Sequence, residues 1–207
     1  MSLATVSGVM SWIRKDIDPN RQSELERCCS AATSFLAALT DRTLERTTKV
    51  VYFDGDVALG GGRELWLHPG HRPVLHTGAD LVTVESNGSA LSVAVGYTTT
   101  AGAVLVGANE DRPCRLVRYA GIWPTGIQNI KVTYKCGWQT DRSVVADTQP
   151  VPLGVEQLAN EIAWLMFVSP SWLGLSNVSH AGAAVSISND LSPASKRMLD
   201  NLIVVVC

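Results

Sequence analysis

The chain reads as an α+β protein in which helices at both ends form a body and a β-rich lobe is inserted between them. Two observations predict this. Apolar residues recur at helical spacing in residues 21–40 and 152–168, whereas from Thr47 to Tyr134 the period falls to two. A third observation, the terminal run Leu202-Ile203-Val204-Val205-Val206-Cys207, adds a strand-like tail, because β-branched residues favour extended backbone. The expected parts are N-terminal helices at 1–46, a lobe at 47–134, a C-terminal helical part at 135–201 and the tail at 202–207.

In order, Thr5 to Lys15 predicts a short helix with Val6, Val9 and Ile13 on one side, stopped by Asp18-Pro19-Asn20. A longer helix follows from about Arg21 to Thr40, with a stripe of Leu25, Cys28, Ala32, Phe35, Leu36 and Leu39. Lys49 to Phe53 predicts a strand stopped at Asp54-Gly55-Asp56, and Gly60-Gly61-Gly62 a hairpin tip before a strand at Arg63 to Leu67. Leu81 to Glu85, Asn87-Gly88 and Leu91 to Val95 predict a hairpin, since Asn-Gly supplies the two positive-φ positions of a type I′ turn. Short strands at Val104-Leu105 and Arg115 to Tyr119 lead to a long one at Asn129 to Tyr134.

Pro152 to Val168 is the segment around which the chain is organised. Val155, Leu158, Ala159, Ile162, Leu165 and Met166 make one apolar face, and Glu156, Gln157, Asn160 and Glu161 occupy most of the remainder. Pro152 stands where a first-turn proline is tolerated. Ser169 to Asn189, dominated by Ser, Gly and Ala, is longer than a routine connection. Ser192 then predicts an N-cap, with Pro193 opening a helix to about Asn201.

With 207 residues, the chain can bury roughly 70% of its unfolded surface and needs no metal or disulfide to fold. A hydrophobic content of 46% with 17% charged residues excludes disorder. A balance of 17 basic to 19 acidic residues, net −2, argues against a dedicated nucleic-acid binder but allows DNA as a neighbour. No basic-then-apolar leader opens the sequence, and no apolar run approaches the ~18 residues of a membrane span. Cys28, Cys29, Cys114, Cys136 and Cys207 are odd in number and lack a C-x-x-C pair, so reduced cytoplasmic thiols are expected.

Candidate chemistry dissolves on inspection. His68, His71 and His76 lie in HPGHRPVLH, where the prolines and glycine make a loop and no acidic or cysteine cluster completes a metal set. Gly60-Gly61-Gly62 lacks the lysine and helix of a phosphate cradle. Ser179-His180 has no nucleophile elbow and no acid partner. Asp54/Asp56 reads first as a turn rather than a calcium site. Asn87-Gly-Ser and Asn177-Val-Ser are chance glycosylation matches. Trp123, Trp138 and Trp172 could stack a sugar, although aromatics at strand ends ordinarily anchor packing. No catalytic, cofactor or metal residues are assigned, and an enzyme is not expected.

The order of motifs resembles the head–tail connector (adaptor) family of tailed bacteriophages and gene transfer particles. Thr40-Asp41-Arg42 is similar to a "tgR" element closing the N-terminal helix pair, with Asp in place of glycine. Tyr52 to Gly55 (YFDG) resembles the first strand of the β insertion. Val132 to Trp138 matches the strand that leads into the helix beginning at Val151-Pro152. The resemblance spans the whole chain, although the insertion is longer than in the shortest members.

This resemblance implies a structural role at the head–tail interface of a virion, assembled in the host cytoplasm. Twelve copies would form a homo-oligomeric ring beneath the portal protein. DNA would pass through it without sequence-specific binding, and the ring would carry the next neck or tail protein. The family commonly inserts its C-terminal segment into the portal, so Leu202, Ile203, Val204, Val205, Val206 and Cys207 are the expected portal-binding residues. Burying such aliphatic side chains contributes ~1.5–3 kcal/mol each before ordering costs. Arg27, Glu156 and Glu161 are expected at subunit contacts or facing the lumen. Neither cofactor nor membrane is implied. The rival readings are a stopper-like neck or tail completion protein and a β-rich ligand-binding module.

Overall fold

The computed structural model describes residues 2–76, 81–95, 102–139, 150–168 and 191–203. In chain order the helices are α1 (Val6–Ile13), α2 (Gln22–Thr40), the single turn α3 (Leu59–Gly62), α4 (Leu153–Val168) and α5 (Pro193–Leu202). The strands are β1 (Thr47–Phe53), β2 (Glu64–Trp66), β3 (Val74–Leu75), β4 (Thr83–Ser86), β5 (Ser89–Leu91), β6 (Val93–Val95), β7 (Ala103–Val106), β8 (Arg115–Val117) and β9 (Ile130–Cys136). The fold is α+β: a helical unit takes the chain up to Glu45 and again from Pro150, and a β-rich unit takes Arg46–Gln139. The lobe therefore runs past Tyr134, because β9 continues to Cys136 and Arg46 closes the unit by donating its amide to the Trp138 carbonyl at 2.9 Å.

In the helical unit each end has a local cause. The Thr5 hydroxyl accepts the Gly8 amide at 3.0 Å and starts α1, and Arg14 stops it in the left-handed conformation at φ 53°. Asp18 turns the chain by accepting the Asn20 amide, after which α2 runs to Thr40. Asp41 caps α2 at φ 49°, a conformation that Asp tolerates better than most residues.

Helix α4 packs against α1, α2 and α5. Its expected single apolar face is too narrow a description. Asn160 and Glu161, expected on the polar side, are buried along with Ala163 and Phe167, while Leu165 is only half-buried. Three surrounding helices leave little of α4 to water. Asn160 accepts the Thr5 amide, and a Cβ on Gly8 would lie 2.8 Å from its side chain, so α1 approaches α4 closely there.

In the β unit, β9 is central. Along one edge β1 pairs antiparallel, from Thr47↔Cys136 to Phe53↔Ile130. Along the other, β4 takes Ile130–Thr133 and β3 takes Lys135–Cys136. The strand β5 joins β4 through Asn87 (φ 50°) and Gly88 (φ 77°), the expected tight turn. The second sheet has the order β2-β8-β7-β6, with β6 and β7 parallel.

Leu91 to Val95 is accordingly not one strand. The chain changes sheets at Ser92, whose carbonyl accepts the Ala103 amide at 2.9 Å and whose hydroxyl accepts the Gly102 amide at 2.8 Å. Nor is Gly60-Gly61-Gly62 a hairpin tip, because β1 and β2 lie in different sheets and the glycines belong to or border one helical turn. Inward residues of both sheets, among them Val84, Ile130, Val132 and Tyr134 of the first and Leu65, Leu105 and Leu116 of the second, share one core with Trp123.

Candidate functional site

No group of three or more metal-ligating side chains converges among the described residues. The described histidine and cysteine candidates instead serve the structure. His76 accepts the Val82 amide on Nδ1 at 3.0 Å, and burial lowers its pKa. The Nδ1 of His71 lies 2.6 Å from the Tyr134 hydroxyl, and His68 Nδ1 accepts the Gly70 amide. Burial pushes the Cys29 and Cys114 thiols up to about 11 and raises that of Cys28, so they are protonated at neutral pH. Trp123 and Trp138 are buried, which leaves them no open face for a sugar, and Trp172 lies outside the described residues, as do Ser179, His180 and Asn177.

The YFDG stretch at Tyr52 to Gly55 has a mechanical explanation. Asp54 accepts the Gln128 amide at 2.6 Å, and Gly55 donates to the Gly126 carbonyl at 2.9 Å and to Asn129 Oδ1 at 3.0 Å. A Cβ on Gly55 would sit 1.7 Å from the Pro124 carbonyl oxygen, so only glycine fits. Asn129 in turn donates to that same carbonyl at 2.8 Å. The GW pair that follows β9 is similar: Gly137 stands at φ 90° and donates to the Pro73 carbonyl at 3.0 Å.

The expected interaction residues are scattered through the helical unit. Arg27 is exposed on α2, and Glu156 is half-buried on the first turn of α4. Glu161 is 4% exposed, and its carboxylate accepts the Ser192 amide at 2.7 Å, the Ser192 hydroxyl at 3.0 Å and the Ser195 hydroxyl. It serves the inside of the protomer, not a surface. Leu202, expected as the first residue of the free tail, is the last residue of α5 and is buried. Ile203 is itself exposed and leaves the helix extended at φ −60°, ψ 127°, and Val204–Cys207 lie outside the described residues. Sequence reasoning missed the Glu161 contact because its partners stand 31 and 34 residues away. The N-cap at Ser192 was its only visible half.

The described residues thus form a helical unit and a β-rich unit of two sheets, and the polar side chains named above brace them. No protein-family profile and no curated protein matches the chain. Among solved structures it is similar to a chain from the neck of an empty gene transfer agent (GTA) particle computed with C6 symmetry. The TM-score is 0.55 at 16% identity, over 98% of this chain and 90% of that one. At this identity the likeness establishes a shared fold.

Proposed function

We propose that the chain is a structural neck protein of a tailed phage or phage-like particle, a head–tail connector (adaptor). In this reading twelve copies form a ring beneath the portal, extend the DNA channel and carry the next neck or tail component. The observation that carries the reading is the end-to-end likeness to a particle-neck chain, over 98% of this chain. A match that spans both units is stronger than one confined to a small β sandwich, an architecture that hosts many functions. The sixfold symmetry of that neck is compatible with a ring of twelve.

The C-terminal segment is the proposed portal contact, now counted from Ile203 through Val204, Val205 and Val206 to Cys207, with Leu202 as its anchor in the body. Arg27 and Glu156 remain the proposed subunit-contact or lumen-facing residues.

Electron microscopy of the purified protein mixed with DNA-filled, tailless heads tests the reading. A ring under the portal is expected, and a chain lacking residues 204–207 should fold but leave heads bare. Heads that stay bare with the intact chain overturn the proposal. A ring that forms only on a preformed neck tier would instead identify a stopper-like component.

A further inference from the structure

Glu161 is a buried carboxylate on α4, a helix packed against α1, α2 and α5. A buried carboxylate is tolerable only when donors replace water. Three of its donors come from one place, the first turn of α5: the Ser192 amide, the Ser192 hydroxyl and the Ser195 hydroxyl. The positive end of the α5 dipole points the same way. Ser192 meanwhile caps its own helix by accepting the Ser195 amide at 3.3 Å.

Helix α5 is short, and its buried face is narrow. It is 10 residues long, shorter than the ~12–15 residues at which isolated helices become even marginally stable in water. Its buried face consists of Ser195, Leu199 and Leu202, with Met198 resting where Gly154 of α4 leaves room for it. At its far end the chain emerges extended and exposed at Ile203.

We infer that Glu161 is a latch. It fixes the start of α5 and thereby the direction in which the C-terminal segment is presented to its partner. The partner's identity rests on the function proposed above; the latch itself does not. Fixing the exit direction pre-organises the segment, so docking loses less conformational freedom. Glu161 acts here as a positioning residue that touches no partner.

Two full-length variants test this: Glu161→Gln, which keeps the volume, and Ser192→Ala/Ser195→Ala, which leaves the carboxylate in place. Amide hydrogen exchange across residues 193–202 should accelerate at least about tenfold in both, with α2 and α4 unchanged. Attachment to portal-bearing heads should weaken at least about tenfold yet still saturate at the same occupancy. Unchanged exchange in α5 overturns the latch, as does α4 opening together with α5, which would make Glu161 a general core residue. Loosened α5 with undiminished attachment overturns its positioning role. If deleting residues 204–207 has no effect on attachment, the docking site fails, and the exchange result still decides the latch.

Discussion

Gly55 and Asn129 form a joint in which single atoms decide the outcome. Gly55→Ala drives a methyl group into the Pro124 carbonyl, a backbone atom that cannot rotate away. Destabilisation of about 3 kcal/mol is expected, the upper end for overpacking. Asn129→Ala removes acceptors and donors for Gly55, Pro124 and Asn87 and should cost about 1–3 kcal/mol. Urea unfolding followed by tryptophan fluorescence reads both, and a Gly55→Ala loss under about 0.5 kcal/mol would contradict the close approach. His76 gives a pH dependence. Its Nδ1 must be unprotonated to accept the Val82 amide, and burial lowers its pKa below 6.5. The unfolded chain therefore takes up this proton first as pH falls. The stability contributed by neutral His76 is complete above about pH 6.5 and declines below it, toward the folded pKa. His76→Asn should flatten the stability curve below about pH 6.5, and an unaltered slope there would remove His76 as its source.

At the scale of elements, local signals were legible and long-range ones were not. The α4 periodicity, the Asn87-Gly88 turn and the Ser192-Pro193 start each depend on residues within one or two turns of chain, and each element lies where that pattern places it. The β9 alternation is equally local: Ile130, Val132, Tyr134 and Cys136 are all buried. What the pattern could not carry is which elements surround which. Polar Asn160 and Glu161 look like surface residues until α1 and α5 cover them. Leu91 to Val95 looks like one strand until Ser92 passes the chain to another sheet, an event set by its bonds to Gly102 and Ala103. Leu202 looks like the start of a strand-forming tail but closes α5, because its burial depends on how α5 docks; Val204–Cys207 lie outside the described residues. The latch at Glu161, too, exists only once α4 and α5 meet.

For the whole molecule, charge separates a channel wall from a nucleic-acid grip. The chain carries 17 basic and 19 acidic residues, and several basic side chains are engaged by acidic ones. Lys131 lies 2.9 Å from Glu85 and Arg115 lies 3.1 Å from Glu64, both pairs in the β unit. Proteins that hold DNA neutralise many phosphates and release counterions, which makes their affinity steep in salt. A connector through which DNA slides needs the opposite, a surface with few such contacts. The purified chain should therefore bind duplex DNA more weakly than about 10⁻⁴ M at physiological salt, the weak limit of ordinary non-specific binders. Fluorescence anisotropy of a labelled duplex titrated with protein, repeated at low salt, measures this. A shallow dependence, equivalent to only about one or two phosphates, is expected. Micromolar affinity with a steep salt slope would mean that the chain holds DNA in place, and the sliding-channel part of the connector proposal would have to be abandoned.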